Sequence, residues 1–256
     1  MQQLLIDQQQ HWQFTVFNAW PSVKHIVTGR NPHIHRGNIA GLNYGLNVPD
    51  DPLAVAQNRT EIAQLLHASD AAVVIPFQTH SNNIAVIDDS NKDHIFENTD
   101  ALITNVPGII IGTLSADCVP ILLADPVAHV IASIHAGWKG TVSEIAKHTV
   151  QRMQKDFNCL PENILAGIGP SISAACYEVG EEVAMHFSDS CKSDSSNGKT
   201  CIDLWKANQA QLIEAGLLPE HIEIAGRCTF SNPANFYSAR RDGIQTGRMG
   251  SFILFN

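Results

Sequence analysis

Three side chains, His80, Cys118 and His135, are of types that bind transition metals or move protons, and each sits at a break in an apolar run. His80 follows the β-branched segment Val73–Phe77, Cys118 lies in Leu114–Pro120 (LSADCVP) between two apolar segments, and His135 follows Val130–Ile134 in IHAGW. Reactive groups gather where strands end and loops begin, because a rigid sheet then presents them to a ligand. The stretch from Cys118 to His135 is long enough for two adjacent antiparallel strands and their turn. Such a hairpin would bring both ends within reach of one atom. Residue types alone leave a structural and a functional reading open for each of the three, since no pair shows a diagnostic short spacing such as HExxH. His129, His148 and His221 read as structural or surface histidines.

The elements that must position these groups follow from the pattern of apolar residues. Asp51 before Pro52 is an N-cap followed by a favourable first helical residue, and the helix should run to His67 with Leu53, Ala56, Ile62, Leu65 and Leu66 as its apolar stripe. Val73–Phe77, Ile84–Ile87, Ala101–Thr104, Ile109–Leu114, Val119–Leu123 and Val130–Ile134 read as strands. Gly137–Thr141 then turns the chain into a helix over Val142–Phe157, and a second strand-turn-helix runs from Ile164–Ile168 through Gly169-Pro170 to a helix starting near Val179. A helix over Leu204–Ala215, a strand at Ile222–Ala225 and a closing segment Gly247–Phe255 complete the pattern. Strands outnumber helices without alternating with them, which argues for an α+β sandwich over a doubly wound sheet. Dinucleotide and P-loop glycine patterns are missing from the sequence. Ser188–Thr200 is the loosest segment and reads as a surface loop inside one domain spanning residues 1–256.

Composition narrows the class. The chain has 256 residues, 44% hydrophobic and 16% charged, which is a globular balance. A net charge of −9 gives no basic stripe of the kind that binds nucleic acid. No apolar run approaches the roughly 18 residues of a membrane span, and the N-terminal MQQLLIDQQQ lacks the form of a secretory signal. Six cysteines without a CxxC pair are expected to be reduced thiols of a cytoplasmic protein.

Longer strings around these residues resemble a known family. QTHSNNIAV (Gln78–Val86), TDALIT (Thr99–Thr104), TLSADCVPILLADP (Thr113–Pro126), HAGWKGT (His135–Thr141) and GPSISAACYEVG (Gly169–Gly180) are similar to the motifs of the YfiH/laccase-domain family, bacterial relatives of the macrophage protein FAMIN. GLNYGLNVPDD (Gly41–Asp51), Asn58-Arg59 and the closing CTFSNPANFYSARRDGIQTGRMGS (Cys228–Ser251) extend the resemblance over nearly the whole chain.

The resemblance implies a four-layer α-β-β-α sandwich with mixed sheets and a zinc site made by His80, Cys118 and His135. Two imidazoles and a thiolate suit Zn²⁺, and three protein ligands leave the open fourth position of a catalytic site. It further implies phosphorolysis of adenosine, inosine and methylthioadenosine, with adenosine deamination as a side activity, so purine nucleosides and phosphate are the expected small-molecule partners. Deamination suits a metal-activated water attacking the purine carbon that bears the amine. For phosphate, Lys139 in the turn Gly137–Thr141 and Arg59, behind the turn carrying Asn43, are the candidates, against readings as a solvated charge and a helix-face ion pair, and Asn43 is expected with them among the substrate contacts. Asp117 is expected to support a ligand histidine or to act as an acid, with strand alternation favouring support. Asp100 and Arg240-Arg241-Asp242 are expected to hold the sandwich together. One alternative is a metal-free hydrolase or amidase with Cys118 as nucleophile and His135 as base, extending to the editing of peptidoglycan precursors. Another is copper-dependent phenol oxidation: copper accepts the same ligands, but a multicopper centre needs several His-x-His pairs and the chain has only His33-Ile34-His35. The third is a metal-stabilised binding module.

Overall fold

The computed structural model describes residues 1–195 and 197–256. The chain opens with β1 (Gln2–Ile6), β2 (Gln9–Gln13) and β3 (Val23–Thr28), followed by α1 (Pro52–Leu65). Next come β4 (Ala72–Val74), β5 (Ile84–Val86), β6 (Ala101–Thr104), β7 (Ile109–Ser115), β8 (Val119–Asp125) and β9 (Val130–Ala136). The second half holds α2 (Trp138–Val142), α3 (Ile145–Phe157), β10 (Leu165–Ile168), β11 (Glu178–Val179), α4 (Glu181–Ala184), β12 (Lys192–Asp194) and β13 (Thr200–Ile202). It ends with α5 (Leu204–Glu214), β14 (Ile222–Ile224), α6 (Ala239–Asp242) and β15 (Met249–Phe255).

Two six-stranded mixed sheets carry the fold, in the orders β1-β2-β3-β15-β7-β4 and β14-β10-β8-β9-β6-β5. Side-chain alternation divides the core into three apolar layers. On β15, Ile253 and Phe255 face the second sheet, where they join Leu102, Leu122 and Ile131, whereas Phe252 and Leu254 face outward to Ile62 and Leu66 beside α1. On β9, Val130, Ala132 and Ile134 turn the other way, towards Ile145, Val150 and Met153 of α3 and Leu212 of α5. The layers are therefore helix, sheet, sheet, helix, as the family resemblance implied. Thr113 on β7 and Ser133 on β9 hydrogen-bond across the gap at 3.0 Å, pairing two buried hydroxyls that would otherwise be costly.

Several boundaries differ from the sequence expectation. The Asp51 cap is real, its carboxylate accepting from Leu53 N at 2.9 Å. The helix expected over Val142–Phe157 is two helices, broken where Glu144 takes a left-handed conformation at φ 54°. α2 stops there because α5 captures its end: Asn208 Nδ2 donates to Thr141 Oγ1 at 3.0 Å and Gln211 Nε2 to Thr141 O at 2.7 Å. The helix expected from Val179 is a single turn, α4, because Val179 itself pairs with Thr200 in a small sheet of order β11-β13-β12. That sheet also takes Lys192–Asp194 and Thr200 from the expected loop Ser188–Thr200, of which position 196 lies outside the described residues. The strand expected over Val73–Phe77 ends at Val74, before Pro76, which has no N–H to continue the ladder.

Candidate metal centre

The site forms where the chain passes between the two sheets. One such crossing, from β4 to β5, carries His80, and another, from β7 to β8, carries Cys118. β8 and β9 are the expected antiparallel hairpin, pairing Val119 with Ala136 and Pro120 with His135, so Cys118 and His135 emerge at the same end. His135 falls within β9 on the face shared with Ile131 and Ser133, and therefore points into the space between the sheets.

His80 has a left-handed backbone at φ 61°, uncommon for a side chain with a Cβ. A single carboxylate holds this turn. Asp100, fully buried at the start of β6, accepts hydrogen bonds from the amides of Thr79 (3.2 Å), His80 (3.1 Å) and Ser81 (2.7 Å) and from Ser81 Oγ (2.7 Å). Its Oδ1 also lies 2.8 Å from His135 Nδ1. The Gln78 side chain locks the same loop to β7 through paired 2.8 Å bonds to Leu114 N and O.

The result is convergent. His80, Cys118 and His135 offer ligand atoms that all lie within 4.8 Å of one another, and among the described residues no other group of three His, Cys, Asp or Glu does so. Cys118 Sγ is 3.7 Å from His80 Nε2, and the two imidazoles stand edge to face at 5.0 Å. Gly137 closes the back: a Cβ there would come within 2.8 Å of His80 Cδ2 and 3.1 Å of Cys118 Sγ. Electrostatics follow from the crowding. Burial alone would raise the Cys118 thiol, yet the neighbouring His135 and His80 pull it down to about 6. Burial would likewise lower His135, but Cys118 and Asp100 carry it up to about 9. Asp100 is held near 2 by His135 and Ser81 against the opposing effect of burial. The donor set fits a metal: Asp100 takes His135 Nδ1, leaving Nε2 and the easily ionised thiol as ligands beside His80.

Two cavities meet at this point, and His80 and Cys118 line both. The smaller, about 240 Å³, is walled by Asp117, Trp138, Lys139, Ile172, Tyr177 and Leu204. The larger, about 1070 Å³, reaches His135 and carries Arg59, Phe77 and Arg248 on its walls.

Two expectations for the neighbours need correction. Asp117 does not support a ligand histidine. Its backbone turns at φ 95°, and its carboxylate accepts from Thr229 Oγ1 (2.6 Å), Ser238 Oγ (3.0 Å) and Arg240 N (2.7 Å), tying down the C-terminal segments. The supporting carboxylate is Asp100, for which the sequence suggested only a scaffolding task. Asn43 is fully buried and lines neither cavity. Its amide bonds Gly45 O and Asp50 Oδ2, while its carbonyl accepts from Gly45 N and Arg248 N. Lys139 lies on the small cavity with Nζ 5.7 Å from the Trp138 ring, and Arg59 lies on the large one. The expected anion site at the start of α2 has little helix behind it, since α2 is 5 residues long. Arg248 was not singled out by the sequence. Arg241 does bind scaffold, donating to Thr229 O, Phe230 O and Phe236 O.

Comparison with known proteins agrees with this architecture. The family model described as multi-copper polyphenol oxidoreductase laccase matches residues 24–256. A protein of Bacteroides thetaiotaomicron named purine nucleoside phosphorylase is 37% identical over 254 residues, covering 93% of this chain and 94% of that one. Adenosine deaminase RL5, from an unknown prokaryotic organism, is 38% identical over 244 residues, covering 90% of each. The crystal structure of Bacillus licheniformis hypothetical protein YfiH superposes with a TM-score of 0.90 at 30% identity, over 99% of both chains. No helix among the described residues is long and apolar enough to cross a membrane.

Proposed function

The chain belongs to the laccase-like YfiH family, and on that premise we propose that it is a zinc-dependent purine nucleoside phosphorylase acting on adenosine, inosine and methylthioadenosine, with adenosine deamination as a second activity of the same site. The observation that carries this reading is the convergence of His80, Cys118 and His135 on one point that opens into a cavity with ample room for a nucleoside. Relatives named for a phosphorylase and for a deaminase support both reactions in this reading.

His80, Cys118 and His135 would hold the zinc, with Nε2 facing it in His135. Bound there, the ion supplies Lewis acidity and makes water acidic near neutral pH. The chain's own residues do the rest. Asp100 fixes the His135 tautomer and the His80 turn, so the donors are arranged before any ligand arrives. Gly137 leaves both ligands room against the start of α2. Asp117, its carboxylate oxygens taken up by three donors, fixes the cavity wall.

The test supplies adenosine with and without phosphate to a sample whose metal content is measured. Adenine should appear only with phosphate, inosine in both cases, and zinc at one equivalent per chain. Metal-replete protein that releases no base from any of the three nucleosides in phosphate would end this reading. A second reading has its own observation: a thiol drawn down to about 6 beside an imidazole that is paired with a carboxylate also describes a Cys–His–Asp hydrolase. Chemical labelling of Cys118 separates the two.

A further inference from the structure

The large cavity contains two cations that the fold does not neutralise. Arg59, on α1, commits only its Nε, which donates to Tyr44 O at 2.8 Å, and both Nη groups are left without a protein acceptor among the described residues. Arg248 donates Nη1 to Thr246 O and Gly247 O and Nη2 to Ile244 O, leaving Nε without a partner. Neither guanidinium is within ion-pair distance of a carboxylate among the described residues, although Arg36 and Arg241 each find one. The one carboxylate lining this cavity, Asp93, is exposed and pairs with neither. Burial makes the charge costly at both sites, and Arg248 lies close enough to feel Cys118. A half-buried cation without a counter-ion is unfavourable unless a ligand supplies one.

The two arginines are also built into place. Asn43 Oδ1 accepts from Arg248 N at 2.8 Å, while Asn58 on α1, next to Arg59, donates to Asn43 O at 2.7 Å. Gly45 packs against Arg248, where a Cβ would meet Cγ at 2.8 Å. One buried asparagine thus ties together the two segments that carry the cations. By contrast, Lys139 on the small cavity sits over Trp138 as a flexible point charge.

Building on the phosphorylase reading, we infer that Arg59 and Arg248 form the subsite for inorganic phosphate, on the large-cavity side of the ligand triad, and that Lys139 does not. Guanidinium groups suit phosphate because their planar donors match its oxygens. An oxygen of phosphate held there forms the new bond to C1′ as the C1′–N9 bond breaks. The electron pair leaves with the base, which takes up a proton from solvent.

Calorimetry of inorganic phosphate added to the zinc-loaded protein without nucleoside tests the assignment directly. Arg59→Gln and Arg248→Gln should each weaken phosphate binding at least tenfold and raise the KM for phosphate more than that for adenosine. Arg248→Lys, which keeps charge but loses the planar fork, should fall between. It also covers the case in which Arg248→Gln fails to fold, as Arg59→Gln does independently. Lys139→Ala and the exposed Lys155→Ala should bind phosphate as the parent does. Loss of binding in Lys139→Ala with retention in the arginine variants would overturn the inference. The two claims fail separately. Phosphate binding that needs both arginines, in a protein that releases no base, would sink the phosphorylase reading alone. Phosphate-dependent base release with unimpaired binding in both Gln variants would sink the subsite alone.

Discussion

His135 and His25 are both buried strand histidines, one in each of the two sheets, and their charges are driven in opposite directions. His135 presents Nδ1 to Asp100 and has Cys118 beside it, so the protonated ring finds anionic partners and is favoured up to about 9. His25 lies between Phe14 and Phe17, and its Nε2 accepts a 2.8 Å hydrogen bond from Phe14 N. An imidazolium has no lone pair for that bond, and burial lowers this histidine to about 4. His11 in β2, whose ring bonds Gln9 alone among the described residues, is lowered to about 4 as well. Burial is common to all three. What sets the site histidine apart from the scaffold ones here is an anionic acceptor on its far nitrogen and a cavity on its near side.

The largest expected difference follows from deleting each kind. His80→Ala or His135→Ala should reduce bound zinc and base release to background while the metal-free fold survives. His25→Ala should keep one equivalent of zinc and lose about 2 kcal/mol of stability, because it orphans the Phe14 amide and opens a cavity. Metal analysis and urea midpoints on the same samples measure both, and equal metal loss in all three variants would erase the distinction.

A sharper probe acts on Cys118. As a metal ligand its sulfur is shielded, so iodoacetamide should label it slowly in the holo protein and at least tenfold faster after chelation. Rapid labelling that chelation does not change, in fully active enzyme, would favour the Cys118–His135 hydrolase. Asp100→Asn comes next in size. It keeps the shape but removes the anion that orders His135 and the His80 turn, so zinc affinity should drop about 10- to 100-fold. An unchanged affinity would mean that packing alone orients the two ligands.

The parts legible in the sequence were those set by short-range pattern. VPILLAD and VIASIHA are continuous buried runs, and a two-stranded reading of them already placed Cys118 beside His135. The Asp51-Pro52 cap was local chemistry and therefore visible. β2 and β3 escaped because Gln9, His11 and His25 are polar residues turned inward, against the usual sense of the alternation, and β1 because none of its residues is buried. Asp100 and Asp117 exchanged their expected tasks because the pairing depends on which carboxylate faces a neighbouring strand, and on a left-handed turn at Asp117 that no alternation rule anticipates. Arg248 was invisible for a related reason. It reaches the cavity only through its contact with Asn43, from the opposite end of the chain.

The smallest effect is a slope in stability against pH, and it tests the scaffold half of the comparison. His11 and His25 have folded-state values near 4, below the ordinary value of 6.5 that the unfolded chain restores. Between those limits the unfolded state binds more protons, so stability falls as the pH is lowered from 6.5 and stops falling below about 4. Each separation corresponds to at most on the order of 3 kcal/mol, and for His25 the nearby Glu223 charge works against the loss. His135 contributes with the opposite sign, its share being complete below 6.5 and lost as the pH rises through about 9, so it does not generate the acid slope. Urea unfolding of metal-free protein from pH 7.5 to 4.5 should therefore show a steady decline. His25→Gln keeps an acceptor for the Phe14 amide and cannot be protonated, so it should flatten that decline even if it lowers stability at pH 7.5. His11→Gln should flatten it further. A slope unchanged in the double variant would mean that carboxylates, and not these two histidines, make the fold acid-sensitive.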